Sequence, residues 1–245
     1  MLWVLTLRDL RARYRGHALG YLWSILNPAL LLVVYTVVFS TILRVGIEDF
    51  VLFLGCGLLP WTWFSTAVTV ATGAVRQGAG LVRRVAFPVQ VLPLVPVLSH
   101  LVHLLISLPL LLGLALLLGR PPGVTVIALV PLLLVQLVFT AGVSLGVAAL
   151  GVRFRDFEFL LGNLLLVLFF LAPIIYAPEM VPPGLRRVLV LNPLAVVIGG
   201  FQDALYRGSW PSWAWLAAAA AFSLVTFVLG AWLFEHERVD FAEQL

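Results

Sequence analysis

Long uncharged stretches alternate with short charged ones along this chain. Ala18–Leu43, Phe50–Val75, Val85–Gly119, Pro121–Val152, Phe159–Pro178 and Gly208–Phe234 hold no Asp, Glu, Lys or Arg, and run 26, 26, 35, 32, 20 and 27 residues. About 20 apolar residues in a helix cross the hydrocarbon of a bilayer. Each stretch is long enough for one crossing, and none comfortably holds two with a turn. The pattern predicts six transmembrane helices, near 23–43, 51–75, 91–118, 124–150, 159–177 and 212–234. Strands of a membrane barrel would be shorter and would alternate in polarity; these runs are continuous.

The segments between the spans have their own patterns. Over residues 2–15, Trp3, Leu7, Leu10 and Tyr14 share one helical face, with Arg8, Arg11 and Arg15 on another. That is the pattern of a helix lying in the membrane interface, although a basic flank that only sets topology would also be arginine-rich. Leu2, Val4 and Leu5 fit the pattern poorly. Arg76–Gln90 predicts a short apolar-basic turn over Leu81–Phe87, stopped by Pro88. Such a turn can dock on a soluble partner or can serve topology alone. Residues 179–207 are flanked by Pro178, Pro182 and Pro183 and divided by Asn192-Pro193, an N-cap followed by the first helical position. Two short helices are expected there, near Leu185–Leu191 and Leu194–Tyr206, too short to span. They either lie on the surface or dip back as a lid hinged at Asn192-Pro193 and Gly199-Gly200. Pro93, Pro96 and Pro109 predict a kinked third span.

Composition sharpens the class. Of 245 residues 62% are hydrophobic and 11% charged; all 15 basic residues are arginine, and mean hydropathy is +1.12. Ordinary soluble domains carry about 25% charged residues. A soluble enzyme, a disordered chain and a disulfide scaffold (the one cysteine is Cys56) are excluded. Counting arginines decides the orientation. With both termini in the cytoplasm, ten of the 15 fall on the inner side, as the positive-inside rule asks. The basic balance reflects these loops and gives no sign of nucleic acid.

Most candidate chemistry is missing. No predicted span carries Asp, Glu, Lys or Arg, so an ion-coupled carrier is disfavoured. His100 and His103 lie three residues apart on the third span with no carboxylate or cysteine nearby in sequence, and no metal site is expected. No HExxH motif and no carboxylate pair within a span is present. A chain without lysine cannot form a Walker A loop. The spans do hold aromatic faces: Tyr35 and Phe39 on the first, Trp61, Trp63 and Phe64 on the second, Tyr176 at the end of the fifth. These suit the apolar faces of sugar rings, and also suit lipid contact and packing.

The opening RDLRARYRGHALGYLWSILNPALLLVVYTVVFS (8–40) closely resembles the start of the membrane subunits of type-two ABC exporters for polysaccharides and polyol phosphates. GLLPWTWFSTAV (57–68), LVRRVAFPVQVLP (81–93), FRDFEFLL (154–161), PIIY (173–176) and LNPLAVVIGGFQDAL (191–205) follow in that family's order. The loop carries Arg83-Arg84 where a lysine-bearing form is usual. The resemblance implies one transmembrane domain over 1–245: an all-α integral membrane protein of six spans, an N-terminal interface helix and short outer gate helices. It implies a homodimer in the bacterial inner membrane around a channel lined by the first, second and fifth spans. Two separate ATPase subunits would hold the ATP and magnesium, so this chain itself would be no enzyme and hold no cofactor. Leu81, Val82, Arg83, Arg84 and Phe87 would form the coupling turn, and Leu185, Leu191, Asn192, Pro193, Gly199 and Gly200 would belong to the outer gate. The cargo would be a lipid-linked O-antigen, capsule or teichoic-acid glycan; the alternative is a permease exporting a drug or lipid.

Overall fold

A computed structural model describes residues 1–14, 22–82, 88–154, 156–182, 184, 189, 192–238 and 241. Among these the protein is all-helical. Helix α1 spans Leu2–Tyr14; α2, Trp23–Thr36, runs on as a π-helix over Val37–Ile42; α3 is Phe50–Gln77; α4 is the single turn Ala79–Val82. Helix α5 is Val91–Leu117, α6 is Leu129–Arg153 after a 3-10 turn at Val124–Ala128, and α7 is Phe157–Phe170. Helix α8, Pro193–Gln202, passes into a π-helix over Asp203–Arg207, and α9 is Trp213–Glu237. Five of these helical runs (α2, α3, α5, α6 and α9, with their π and 3-10 extensions) are long and apolar enough to cross a membrane, and α7 is a shorter apolar helix.

Helix α3 is the hub, buried over most of its length and packed against α5, α6, α8, α2 and α7. One core joins Phe53, Leu54, Leu58, Trp61 and Phe64 of α3 to Leu161, Leu165 and Phe169 of α7 and to Leu194 and Ile198 of α8. A second joins Leu52, Cys56, Leu59 and Trp63 to Val97, Leu104 and Leu111 of α5, Leu132 of α6 and Phe201 of α8. Trp63 donates its indole N–H to the Val97 carbonyl at 3.0 Å, which pins the second and third spans together. Helix α5 stays one helix through Pro96 and Pro109.

The fifth span departs from the continuous helix expected over 159–177. Helix α7 ends at Phe170, and 14 residues at 1.5 Å each reach about 21 Å, short of the ~30 Å of hydrocarbon. Pro173 lacks the N–H that would extend the helix, and its ring would meet the carbonyl four residues back. The chain continues irregularly with Ala172, Pro173, Ile174 and Ile175 buried in protein, the setting in which irregular backbone is tolerated at membrane depth.

Ion pairs sort to the two ends of the bundle. At one end Arg120 meets Asp49 and Glu48, and Arg207 meets Asp203 and Glu179. At the other Arg76 meets Glu158, Arg153 meets Glu237, Arg238 meets Glu235 and Gln90 donates to Glu235. Helix α3 leads from Asp49 to Arg76, about 40 Å at 1.5 Å per residue.

Candidate transport groove and outer wall

A groove of about 430 Å³ opens between α2, α3 and α7. Its wall takes Leu31, Tyr35 and Phe39 from α2 and its extension, Trp61, Thr62 and Ser65 from α3, and Leu165, Phe169 and Phe170 from α7. Spacing explains the set. Tyr35 and Phe39 are four apart, as are Trp61 and Ser65, so each pair stands on one helical face. The lining is mostly apolar; Thr62 and Ser65 return their hydroxyls to the carbonyls of Leu59 and Thr62.

The rings form a chain. Phe64 stacks on Phe139 at 5.6 Å, Trp61 lies 5.9 Å from Phe64 and meets Phe169 edge-on at 5.5 Å, and Tyr35 stacks on Phe169 at 6.5 Å. Beyond Tyr35 the sequence continues through Phe39, Phe50 and Phe53 to Tyr206, each ring 5.5 to 6.4 Å from the next. Of the aromatic residues singled out in the sequence, Tyr35, Phe39 and Trp61 reach the groove. Trp63 faces α5, Phe64 sits in the core behind Trp61, and Tyr176 packs on the first core with its hydroxyl donating to the Phe170 carbonyl at 2.9 Å.

Helix α8 is buried at the end of the bundle that holds Arg120 and Arg207. Asn192 caps it, accepting from the Leu194 N–H at 3.0 Å, and Pro193 takes the first turn. Pro193, Leu194, Ala195, Val197, Ile198, Gly200 and Phe201 are buried. Gly199 and Gly200 are both helical and differ: a Cβ on Gly199 would meet nothing within 4 Å, whereas one on Gly200 would reach Leu132 at 2.5 Å. Leu185 and Leu191, with the first of the two expected short helices, lie outside the described residues, except for positions 184 and 189.

The C-terminal end of α8 is fastened from three other segments. Thr125 donates to the Ala204 carbonyl at 2.7 Å. Arg120 donates to the Tyr206 carbonyl at 3.2 Å and lies 4.8 Å above the Tyr206 ring. The Tyr206 hydroxyl donates to the Glu48 carbonyl at 2.8 Å. Arg120 also meets Asp49 at 2.5 Å, and that hydrogen bond raises the guanidinium above its ordinary pKa. Asp49 and Arg44 are left-handed, so the tight Arg44–Asp49 turn brings the Asp49 carboxylate to α3's start.

At the other end α1 packs on α5 through Thr6 and Leu10, leaving Trp3 57% exposed with Arg8 and Arg11. The packed face is therefore rotated from the Trp3–Leu7–Leu10–Tyr14 face, because the protein takes the Thr6 side and leaves the Trp3 edge outward. Arg15 lies outside the described residues, as do Arg83, Arg84 and Phe87; Leu81 and Val82 end the single turn α4.

The ABC-2 type transporter family model matches residues 1–206, from α1 to the fastened end of α8. The chain belongs to the ABC-2 type transporter family. It is 38% identical over 240 residues to the O-antigen export system permease protein RfbA of Myxococcus xanthus, covering 97% of this chain and 92% of that protein. It is 31% identical to the RfbA permease of Klebsiella pneumoniae, over 100% and 95%, and 28% identical to the polysialic acid transport protein KpsM of Escherichia coli, over 94% and 90%. The protein is a multi-pass membrane permease subunit of the ABC-2 kind, which carries no ATPase of its own and pairs with ABC ATPase subunits.

The resemblance in the sequence pointed to this family. What it did not single out is the fastening: Gln136, Gln202, Thr125 and Arg120. Gln136 is a polar residue within a span, a signal open to sequence; it donates to the Pro60 carbonyl at 2.6 Å. Thr125, Arg120 and Gln202 act across 79, 86 and 29 residues, which no local pattern reveals.

Proposed function

We propose that this protein is the membrane half of an ATP-driven exporter that moves a lipid-linked polysaccharide, of the O-antigen or capsule kind, across the bacterial inner membrane. Two copies surround one path, two cytoplasmic ATPase subunits hydrolyse ATP with magnesium, and both termini face the cytoplasm. The observation that carries this reading is the groove of Tyr35, Phe39, Trp61 and Phe169 on the first, second and fifth spans. Aromatic faces with hydroxyls beside them suit sugar rings, and the relatives named for O-antigen and polysialic acid handle glycans of that kind. The exposed face of α7 supports a second copy. Asn163 and Gly162 stand on it among Phe159, Leu160, Leu164 and Val167, all exposed. An amide facing hydrocarbon is costly, so a path or a partner helix must cover it.

In this reading the turn over Leu81–Phe87, with Arg83 and Arg84, docks on the ATPase; Trp3, Arg8 and Arg11 hold α1 at the inner interface; and α8 with Asn192 and Pro193 closes the outer mouth. The test is export from proteoliposomes holding the permease with its ATPase subunit and a lipid-linked glycan from the source strain. Glycan that becomes accessible on the far side only with ATP is the expected result. ATP hydrolysis without glycan movement, but with drug or phospholipid movement, would replace this reading.

A further inference from the structure

Gln202 closes α8 and is fully buried. Its amide nitrogen donates to the Pro173 carbonyl at 2.7 Å, across 29 residues. Pro173 lies in the irregular stretch after α7, where the carbonyl is inside protein and needs a donor that no regular helix supplies. The other end of the amide is telling. Oε1 of Gln202 is buried and meets no hydrogen-bond partner among the described residues. A side chain kept for packing would be apolar, and one kept for a polar network would be met at both ends. The bond to the Pro173 carbonyl is the hydrogen bond that the described residues show for this side chain.

Two neighbours give that donor a task. Phe169 and Phe170 before the break, and Ile175 after it, line the groove. Gly57 of α3 admits both partners at once: a Cβ there would sit 3.1 Å from the Ile174 Cα and 3.4 Å from the Ile198 Cγ2. The break and α8 thus meet over one glycine and are stapled by one hydrogen bond.

We propose that Gln202 is a positioning residue of the transport cycle, tying the broken end of the fifth span to α8 so that the groove wall and the outer wall move as one body. This rests on the groove being the cargo path and α8 the outer wall. Displacement of Phe169, Phe170 and Ile175 then carries α8 with it.

The experiment uses the full chain assembled with its ATPase subunits in lipid nanodiscs and in proteoliposomes. Spin labels on cysteines at Leu171, which is exposed, and Gly199, which has open space, report the distance between break and α8. One narrow distance, unchanged between nucleotide-free and ATP-bound complexes, is expected of the parent. Gln202→Met keeps the length and removes the donor; Gln202→Asn keeps an amide one methylene short. Both should broaden the distance in the ATP-bound complex and lower glycan exported per ATP several-fold. Variants that keep the parent's distance and export per ATP overturn the proposal. So does failure of both to assemble, which makes Gln202 a folding residue. A parent complex that moves no glycan would overturn the function above, while the distance measurement still decides the staple.

Discussion

Where α6 meets α9 the side chains shrink to glycine; where α2, α3 and α7 meet they grow to tyrosine, tryptophan and phenylalanine. Along the first seam a Cβ on Gly142 would lie 2.5 Å from the Phe227 Cα, one on Gly230 would run into the Gly142 carbonyl, and one on Gly146 would lie 3.8 Å from the Gly230 Cα. The backbones touch, as small residues allow where lipid leaves little hydrophobic force between helices. Around the groove, α2 buries Leu32 among its described side chains and exposes Leu26, Leu30, Leu31, Val33 and Val34. One region is sealed backbone to backbone; the other is held by ring edges beside a cavity. Rings can re-pack when neighbours shift, and glycine seams cannot shift without losing every contact. In the function proposed above, the α6–α9 seam would be the scaffold and the groove side the moving part.

The largest expected effect tests the scaffold. Gly142→Leu places a side chain against backbone that has no room to yield. Overpacking of this kind costs about 1–3 kcal/mol or more, and the seam should fall at the upper end. Thermal unfolding in detergent should show a strongly lowered midpoint or no folded protein. Gly113→Leu on α5 is the control, because a Cβ there meets nothing within 4 Å; it should unfold like the parent. Equal midpoints for the two would erase the distinction between the regions.

Next in size is Arg120, which ties α3 to the segment after α8 at one end of the bundle. It stands between α5 and α6 and reaches both the start of α3 and the end of α8. Arg120→Met leaves Asp49 and Glu48 without their cation and the Tyr206 carbonyl without a donor. The guanidinium is 29% exposed, so the loss is set at about 1 kcal/mol. Faster amide hydrogen exchange over Asp203–Arg207 is the expected reading, with the α6–α9 seam unchanged. Exchange that stays at the parent rate would show that Thr125, Gln202 and the Tyr206–Glu48 bond hold α8 without Arg120.

On the groove side, Trp61→Ala should lower export, and because the ring is buried in the first core it should also lower the unfolding midpoint. Trp61 touches Phe64 and Phe169, and an aromatic contact is worth about 0.5–1.5 kcal/mol beyond burial. If the ring meets cargo, export falls roughly fivefold, the factor that about 1 kcal/mol produces. Trp63→Phe supplies the comparison. It loses the bond to Val97 but keeps a ring on the α5 side, so it should lower export less than Trp61→Ala. The reverse ranking would move the cargo path to the α3–α5 face.

These contrasts also show how far a sequence carries. Six apolar runs and their charged joints were legible because hydrocarbon demands about 20 uncharged residues per crossing and headgroups attract arginine. The Asn192-Pro193 start of α8 was legible because capping is local. The break at Pro173 was open to the same reasoning, yet an uninterrupted apolar run concealed it. Which aromatic ring faces a cavity was not legible: Trp61 and Trp63 are two residues apart, about 200° around the helix, and the tertiary partners decide which side opens. The fastening of α8 was least legible, since Arg120 and Thr125 look like ordinary residues of an outer turn until the fold brings Tyr206 beside them.

The smallest effect is expected at Arg207, and its value lies in the comparison with Arg120. Arg207 meets Asp203 at 2.7 Å and Glu179 at 3.4 Å, distances as good as those of Arg120. Distance alone would make the two arginines equal. Topology separates them. The close pair of Arg207 is four residues away within one helical turn, so it restrains nothing beyond that turn and is worth about 0.3–0.5 kcal/mol on an exposed surface. Arg120 joins residues 71 and 86 positions away, so it closes loops that the unfolded chain leaves open. Arg207→Gln should therefore leave the unfolding midpoint within about 1 °C of the parent, and amide exchange at Tyr206 should rise far less than in Arg120→Met. Added salt should shrink even that difference, since an exposed pair is screened. If Arg207→Gln instead loosened Asp203–Arg207 as much as Arg120→Met does, the segment bearing Glu179 would be part of the clamp. Helix α8 would then hang from the loop after the fifth span as well as from the turns that carry Glu48 and Arg120.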